Sequence, residues 1–230
     1  MRLTINLFLF LFLTLVICVG ARSAIEIVLE AELANKIAEP MTVGVPADAK
    51  ALGGIEPDEP SSGKFVWIPG APVSSGRDHQ GYAEFIINIP KKGVYAVWGR
   101  VIAWDGNSDS FWVIWRPADP DENPQQTQNK DYRWAVAQGN TWHWARINKW
   151  LDAGTFDREW ELDKGESKLI IYGREDATML DCLYITDSIA GAVPRLPTKE
   201  DINAQIQGKT KLSVNPKNRL STTWAEVKSR

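Results

Sequence analysis

Histidine and cysteine are scarce in this 230-residue chain, which has only two of each. This scarcity argues against zinc clusters and against a disulfide framework, because both depend on several of these side chains. An excess of positive charge is also absent, since the formal net charge is −3. Proteins that bind nucleic acid over their whole surface are usually basic, so we expect no nucleic-acid partner. The 44% of hydrophobic residues excludes a disordered chain.

The chain has one long apolar run, Leu3–Val19, which follows Arg2 and precedes the small residues Gly20 and Ala21. A charged start, an apolar centre and a small-residue end are typical of a secretory signal, so residues 1–24 are predicted to be a signal peptide. An uncleaved signal anchor is the alternative, because the run is nearly long enough to cross a bilayer. The sequence predicts a secreted, periplasmic or cell-surface protein with no other membrane contact.

The remaining hydrophobic pattern is that of short β-strands bounded by Gly, Pro, Asn and Asp. No segment shows a helical apolar stripe over three turns. The sequence therefore predicts an all-β protein, an antiparallel β-sandwich of the jelly-roll type over residues 25–188. The candidate strands are Ile25–Leu33, Gly63–Ile68, Tyr82–Ile89, Val94–Trp104, Ser110–Arg116, Tyr132–Val136, Trp142–Asn148, Phe156–Leu162, Lys168–Gly173 and Met179–Thr186.

Charge divides the chain near residue 188. Residues 24–188 contain 16 basic and 26 acidic side chains, whereas residues 189–230 contain eight basic and three acidic ones. The second segment has few large apolar groups and is predicted to be a mobile or loosely docked basic tail. Within the domain, Ala34–Ser62 and Arg116–Asp131 lack strand character and are predicted to be long loops.

Three acidic residues form a candidate metal site. Glu30 and Glu32 are two residues apart, so on a strand their side chains point to the same face. Asp181 lies within an apolar stretch of the last predicted strand, where a lone charge is costly. First and last strands commonly pair in sandwiches, so the three could converge on a calcium ion, which prefers oxygen ligands. The alternative is that Glu30 and Glu32 face water at an edge.

Tryptophan is unusually abundant, with 11 residues, nine of them between residues 98 and 160. A single buried core accommodates four or five such side chains, so we expect some indole rings to be exposed. Strand alternation places Trp112 and Trp115 on opposite faces, so they cannot lie in the same layer. An exposed indole beside polar side chains is typical of a protein that binds sugar rings.

Several motifs follow one another in a recognisable order. They are Glu30–Glu32 (EAE), Gly93–Val101 (GVYAVWGRV), Gly106–Phe111 (GNSDSF), Trp142–Trp144 (WHW), Gly165–Asp176 (GESKLIIYGRED) and Leu180–Thr186 (LDCLYIT). No single motif is specific, but their order resembles that of the β-sandwich carbohydrate-binding modules related to families 6, 35 and 36. The resemblance covers roughly residues 26–188, nearly the whole domain.

The resemblance implies a galactose-binding-like jelly roll without catalytic activity and with a polysaccharide or glycan as its partner. It implies a structural Ca2+ held by the acidic trio described above. It also implies a sugar cleft among the loops at one end of the sandwich, with an aromatic platform and polar residues from the loop before the last strand. The residues that fit these roles are Trp104, Trp134, Trp142, Glu175 and Asp176 for the sugar, and Glu30, Glu32 and Asp181 for the metal.

Two other functions are compatible with the sequence. A small secreted glycan hydrolase or lyase would need two carboxylates across a cleft. The candidates for them are Glu84, Glu159 and Glu161, although each is more simply interpreted as an ordinary surface acid. An envelope-associated adhesive or scaffold protein is the other possibility, with the basic tail contacting an acidic polymer.

Overall fold

The computed structural model describes residues 24–54, 56–71 and 81–213. The predicted signal peptide therefore lies almost entirely outside the described residues. Three helices are present within the described ranges, namely α1 (Pro46–Ala51), α2 (Pro124–Thr127) and α3 (Lys199–Ser213). The strands are β1 (Glu26–Glu30), β2 (Lys36–Ala38), β3 (Thr42–Gly44), β4 (Phe65–Trp67), β5 (Tyr82–Ile89), β6 (Gly93–Ala103), β7 (Ser110–Arg116), β8 (Arg133–Ala135), β9 (Gly139–Arg146), β10 (Asn148–Leu151), β11 (Gly154–Asp157), β12 (Trp160–Leu162), β13 (Gly165–Gly173) and β14 (Met179–Thr186).

The strands form two main antiparallel sheets, which confirms the predicted β-sandwich. The larger sheet runs β12-β6-β14-β4-β3, with β9 also paired to β6 and β1 also paired to β14. The smaller sheet runs β2-β5-β13-β7-β8. Strands β10 and β11 form a separate two-stranded hairpin.

The core lies between the inner faces of the two sheets, as alternation of apolar side chains along each strand requires. On β5, for example, Phe85, Ile87 and Ile89 are buried in this core, while Asn88 is exposed. The core is rich in aromatic side chains, including Trp115, which packs against Trp160 with ring centroids 5.4 Å apart. Buried surface of this kind supplies most of the favourable free energy of folding.

The segment Pro117–Asp131, predicted to be a polar loop, covers the outer face of the smaller sheet. It contains helix α2, and Tyr132, just after it, joins a second buried cluster with Trp112 and Tyr172. Trp112 and Trp115 therefore lie in different layers, as alternation predicts, yet both are buried. The covering segment thus hides a tryptophan that would otherwise face water.

The first and last strands pair as expected. Glu30 on β1 lies opposite Cys182 on β14, and the register of β14 against β6 shifts between Leu180 and Cys182, which places Asp181 at an irregularity. Cys182 is fully buried, and burial raises the pKa of its thiol. A thiol in this state is unreactive.

Two segments are more ordered than the sequence suggested. The predicted loop Ala34–Ser62 contains β2, β3 and α1. Part of the predicted tail forms α3, which contacts β1 through Gln205 and corresponds to the docked alternative of that prediction. Residues 214–230 lie outside the described residues. None of the helices in the part of the chain that the structure describes is both long and apolar enough to cross a membrane.

Candidate functional site

The three predicted platform tryptophans lie in different environments. Trp134 is 0% exposed and packs in the core against Phe111, with ring centroids 5.4 Å apart. A ring without exposed surface cannot stack on a sugar, so the expectation for Trp134 is wrong. Its strand, β8, pairs with β7, and this pairing turns the indole toward the interior.

Trp104 and Trp142 are partly exposed. Both pack against one buried cluster on the outer side of the larger sheet, formed by Ala49, Phe65, Trp67, Ile102 and Met179. The Nε1 of Trp104 donates to the carbonyl of Ala177 (2.9 Å), and that of Trp142 donates to the carbonyl of Asp58 (2.7 Å). The indole positions are therefore fixed, while part of each ring remains open to solvent.

The two predicted sugar-binding acids make internal contacts. Glu175 is 2% exposed and accepts hydrogen bonds from the backbone of Asp109 (2.9 Å) and from the Ser110 hydroxyl (2.7 Å), and it pairs with Arg174. Asp176 is buried against Gly70, where even a Cβ would overlap its carboxylate. These contacts hold the loops at this end of the sandwich together, and they leave neither carboxylate facing a cleft.

The three predicted metal ligands lie near one another, linked by the loop before β4. The hydroxyl of Ser61 is 2.6 Å from Glu30 Oε2 and 2.8 Å from Asp181 Oδ1, and its backbone N–H donates to the same Asp181 oxygen (2.9 Å). The hydroxyl of Ser62 donates to Glu32. We call Glu30, Glu32 and Asp181 the acidic cluster.

The acidic cluster is electrostatically strained. Burial, together with the neighbouring charges of Glu32 and Asp181, raises the pKa of Glu30 to about 7. Burial also raises the pKa of Glu32. Glu30 Oε1 and Glu32 Oε2 are both buried and accept no hydrogen bond, whereas Asp181 is paired with Arg100. Unpaired carboxylate oxygens in a buried site are the donor type that a hard cation prefers.

The present arrangement of this site is not that of a closed metal centre. Within residues 24–54, 56–71 and 81–213, no group of three or more His, Cys, Asp or Glu side chains is placed so that it could hold a metal ion. The Arg100 guanidinium provides one positive charge beside Asp181. The orphaned oxygens are of the donor type that a cation prefers, but the three carboxylates are not placed around a common point, and Arg100 is the counter-ion of Asp181 in this structure.

A second set of aromatic side chains, of which only Trp142 was predicted as a sugar-binding residue, lies on the outer face of the larger sheet. In the antiparallel register, Trp98 on β6 is opposite Arg146 on β9, and Arg100 is opposite Trp144. On the other side of β6, Tyr184 is opposite Trp98. We call this surface the aromatic face; it comprises Trp98, Arg100, Trp142, Trp144, Arg146 and Tyr184.

The aromatic face is held by ring contacts and cation–π contacts. Tyr184 lies between two indoles, with its ring centroid 6.2 Å from that of Trp98 and 6.4 Å from that of Trp144. The Arg146 guanidinium lies 5.2 Å from the Trp98 ring centre, and that of Arg100 lies 5.4 Å from the Trp142 ring centre. The three indoles and both arginines are partly exposed, whereas Tyr184 is buried beneath them.

Part of this face was visible in the sequence. Trp142, Trp144 and Arg146 occur at alternate positions, as do Trp98 and Arg100, so each set must share a face of its strand. The sequence does not show that β6 and β9 are neighbours, nor which face of them is the outer one. The aromatic face emerges only from that pairing.

Comparison with known proteins finds solved structures of low similarity and no family. No family model matches the sequence, and no curated protein matches it. A family 35 carbohydrate-binding module from Clostridium thermocellum has 14% sequence identity and a TM-score of 0.44, over 71% of this chain and 98% of that one.

Two further structures have similar scores. A family 6 module of a Cellvibrio mixtus lichenase, in complex with cellotriose, has 17% identity and a TM-score of 0.43, over 70% of this chain and 96% of that one. A Podospora anserina mannanase with a family 35 module has 16% identity and a TM-score of 0.44, over 75% of this chain and 29% of that one. The chain thus spans under a third of the mannanase. These sequence identities and TM-scores do not assign a function to this chain.

Proposed function

We propose that this protein binds a polysaccharide on the aromatic face. The observation that carries the proposal is the presence of three partly exposed indoles, Trp98, Trp142 and Trp144, on one outer sheet surface. Exposed rings of this size cost solubility, and the apolar C–H face of a sugar ring is complementary to them. An open sheet face also suits an extended chain, which can continue past the site at both ends.

The arginines provide the polar part of the proposed site. Ligand sites combine an apolar surface with a few fixed polar groups that determine orientation. Asp157 and Glu159 hold the guanidinium of Arg146, each at 2.7 Å, and Asp181 holds that of Arg100. A guanidinium has five N–H donors, and only one nitrogen of Arg100 is used in this way. The other donors of Arg100 are suited to sugar hydroxyl groups.

No observation favours a hydrolase. Inverting and retaining glycosidases use two carboxylates that face each other across the scissile bond. Glu84 lies on β5 of the smaller sheet and pairs with Lys168 (3.2 Å), whereas Glu159 precedes β12 of the larger sheet and pairs with Arg146. Glu84 is therefore on a different sheet from Glu159 and from Glu161, which lies on β12 and pairs with Lys92 (3.7 Å). Binding without catalysis is the function that we propose.

We further propose that the acidic cluster binds calcium. The orphaned oxygens of Glu30 and Glu32 and the raised pKa of Glu30 support this, because a cation would satisfy the oxygens and stabilise the ionised carboxylates. Asp181 would be the third ligand, and the ion would join β1 to β14. Its role would be structural, since it would fix the first strand of the domain to the last.

We also propose that the protein is exported, on the evidence of the N-terminal apolar run that follows Arg2. Sequencing the N-terminus of the protein recovered from the cell envelope and from the medium would distinguish a cleaved signal from an anchor.

Alanine substitution of the platform tests the binding proposal. Trp98→Ala and Trp144→Ala should each weaken binding to the recognised polysaccharide by about 1–3 kcal/mol, because aromatic anchors dominate such interfaces. Trp150→Ala is the matched control: Trp150 is also partly exposed and stacked on an arginine, Arg133 (4.0 Å), but it lies on the β10–β11 hairpin.

Affinity electrophoresis against a panel of soluble glucans, mannans, galactans and xylans measures binding, and thermal unfolding measures folding. Loss of binding in all three variants, or in none, would contradict the assignment of the aromatic face. Failure of the unaltered protein to bind any polysaccharide would contradict the proposed function itself.

A further inference from the structure

Tyr184 lies beneath the aromatic face and contacts two of its indoles. It is 2% exposed, and its ring is steeply inclined to both, at 67° to Trp98 and at 72° to Trp144. Edge-to-face contacts of this kind are favourable, because the positive edge of one ring meets the negative face of the other. A single buried ring therefore supports two rings of the proposed binding surface.

Trp98 and Trp144 are held differently from the other partly exposed indoles of this sheet. The indoles of Trp104 and Trp142 are fixed by N–H donation to backbone carbonyls. Neither Trp98 nor Trp144 donates such a hydrogen bond to an acceptor within the described residues. The support that these two indoles have in common is their contact with Tyr184.

The hydroxyl of Tyr184 is tethered to the first strand of the sandwich. Val28 is directly opposite Tyr184, so Glu26, two residues earlier on the same face of β1, is its diagonal neighbour. Burial raises the pKa of Tyr184, and a hydrogen bond from its hydroxyl to the Glu26 carboxylate raises it as well. The hydroxyl therefore stays protonated and donates to Glu26.

Glu26 is held in turn by the segment that leads into α3. Arg195 Nε donates to Glu26 Oε2 (3.1 Å), and Arg195 Nη1 and Nη2 donate to the two carboxylate oxygens of Asp201 (2.6 and 3.4 Å). Asp201 lies in the first turn of α3 and also accepts from the backbone N–H and the hydroxyl of Thr198 (2.8 and 2.9 Å). A continuous series of contacts thus connects the start of α3 to the tyrosine beneath the indoles.

We propose that Tyr184 is the positioning residue of the aromatic face, and that docking of the α3 segment fixes it through Arg195 and Glu26. A surface whose rings are fixed before binding loses less conformational entropy when the ligand binds. Release of the α3 segment therefore weakens binding without changing any residue that touches the ligand. This effect on binding rests on the proposed polysaccharide function, whereas the positioning of the rings concerns this chain alone.

Fluorine NMR of the full chain labelled with fluorotryptophan tests the positioning without a ligand. The resonances of Trp98 and Trp144 are assigned by their disappearance in Trp98→Phe and Trp144→Phe. Arg195→Gln removes a side chain that contacts neither indole, yet it should shift both resonances, because Tyr184 loses part of its tether. Lys199→Gln is the matched control: it removes the same charge from an exposed position of the same segment and should shift neither resonance.

Substitution of the tyrosine itself separates its ring from its hydroxyl. Tyr184→Phe keeps the ring and loses the hydrogen bond to Glu26, so it should shift the same two resonances as Arg195→Gln. Tyr184→Leu also removes the ring and should shift them further. Tyr172→Leu is the matched control, because Tyr172 is another nearly buried tyrosine in an aromatic contact but lies on the smaller sheet.

Affinity electrophoresis with the most tightly bound polysaccharide of the panel measures the effect on binding. Tyr184→Leu should weaken binding about tenfold, since both indoles lose their common support. Tyr184→Phe and Arg195→Gln should each weaken it about threefold, because the ring remains and the lost tether is a partly exposed contact. Tyr172→Leu and Lys199→Gln should bind as the unaltered protein does. Thermal unfolding verifies that each variant is folded at the temperature of the measurement.

The positioning and its effect on binding have separate outcomes. Unshifted Trp98 and Trp144 resonances in both Tyr184→Phe and Arg195→Gln would overturn the tether, and these two variants decide it even if Tyr184→Leu does not fold. Equal shifts in Lys199→Gln would overturn it as well. Shifted resonances with unchanged affinity would overturn the effect on binding. Failure of the unaltered protein to bind any polysaccharide would contradict the proposed function, while the fluorine spectra still decide the positioning of the rings.

Discussion

Glu30 is the residue at which electrostatics and folding oppose each other most directly. The side chain is 1% exposed, its Oε1 accepts no hydrogen bond, and burial raises its pKa from an ordinary 4.5 to about 7. The folded protein therefore holds a proton on Glu30 over a pH range in which the unfolded chain has lost it. In the absence of a cation, ionisation of Glu30 opposes folding.

The sign of this effect leads to a pH prediction. Because the pKa is raised in the folded state, stability is greatest at about pH 4.5, falls as the pH rises, and levels off above pH 7. In the presence of a chelator, the free energy of unfolding should decrease by up to about 3 kcal/mol between about pH 4.5 and about pH 7. Glu30→Gln should flatten the decrease, whereas Glu84→Gln on the other sheet should not.

Urea denaturation at a series of pH values measures this dependence. Calcium should reduce the decrease in the unaltered protein, because the ion would stabilise the ionised form. A free energy of unfolding that rises between pH 5 and pH 7 through Glu30 would contradict the assignment of a raised pKa.

Sequence reasoning at the scale of single residues succeeded where local rules were sufficient. Alternation and the pairing of end strands bring Glu30 near Asp181, and this could be deduced without coordinates. The burial of Trp134 could not be deduced, because alternation tells which residues share a face but not which face is covered. The same limit hid the pairing of Trp98 with Arg146 and of Trp144 with Arg100 across two strands.

Among the elements, the start of the segment Pro117–Asp131 is attached to the sandwich through the carboxylate of Asp119. Asp119 accepts hydrogen bonds from the backbone of Trp115 (2.7 Å), from the indole of Trp160 (2.9 Å) and from Arg158 (2.8 and 2.9 Å). Arg158 is nearly buried, and this burial lowers the pKa of its guanidinium. The carboxylate thus fixes the start of the segment and neutralises an interior charge.

Asp119→Ala should therefore lower the free energy of unfolding by about 3–5 kcal/mol, since it leaves Arg158 buried without its counter-ion. Asp121→Ala is the control, because Asp121 is largely exposed in its pair with Arg116 and should cost under about 1 kcal/mol. Urea midpoints of the two variants provide the comparison. Similar midpoints for both would show that the segment is held by other contacts.

Helix α3 covers the free edge of β1 by means of one side chain. Gln205 accepts from the backbone N–H of Glu30 (2.9 Å) and donates to the carbonyls of Glu30 (3.0 Å) and Leu33 (3.1 Å), as a neighbouring strand would. Arg195 adds contacts to Glu26 and Asp201. These contacts protect an edge that would otherwise present unpaired backbone groups.

Gln205→Ala should accelerate hydrogen exchange of the Glu30 amide by about tenfold, because that amide loses its acceptor. Gln207→Ala, an exposed glutamine on the same helix, should leave the rate unchanged. Hydrogen exchange followed by NMR measures the rate of the Glu30 amide in both variants. Equal rates in both variants would mean that α3 does not hold β1.

Three strands could be predicted from the sequence because of the pattern of their apolar residues. Tyr82–Ile89, Ser110–Arg116 and Met179–Thr186 were predicted with the observed bounds, since their apolar residues meet a core on at least one face. Helix α3 has only a weak apolar stripe, and it docks through a glutamine and an arginine instead. Polar docking of this kind leaves no periodic signal in the sequence.

The part of the molecule that contains the β-sheets is acidic. Residues 24–188 contain 16 basic and 26 acidic side chains, and both arginines of the aromatic face are already paired with carboxylates. Such a surface does not attract a polyanion, since binding to nucleic acids and sulfated glycans depends on uncompensated positive charge. An uncharged polysaccharide meets no electrostatic barrier on this surface.

This reasoning predicts that polysaccharide binding depends little on salt. Stacking on Trp98 and Trp144 releases no counterions, so the dissociation constant should change by less than about twofold between about 50 and 500 mM sodium chloride. Affinity electrophoresis or calorimetry at several salt concentrations, with calcium held constant, provides the measurement, and heparin serves as the polyanionic comparison. A steep loss of affinity with salt would mean that unpaired arginine charge, rather than the indole surface, dominates recognition. Because Arg146 keeps its two carboxylate partners in the structure, any such dependence should originate at Arg100, and Arg100→Gln should remove it.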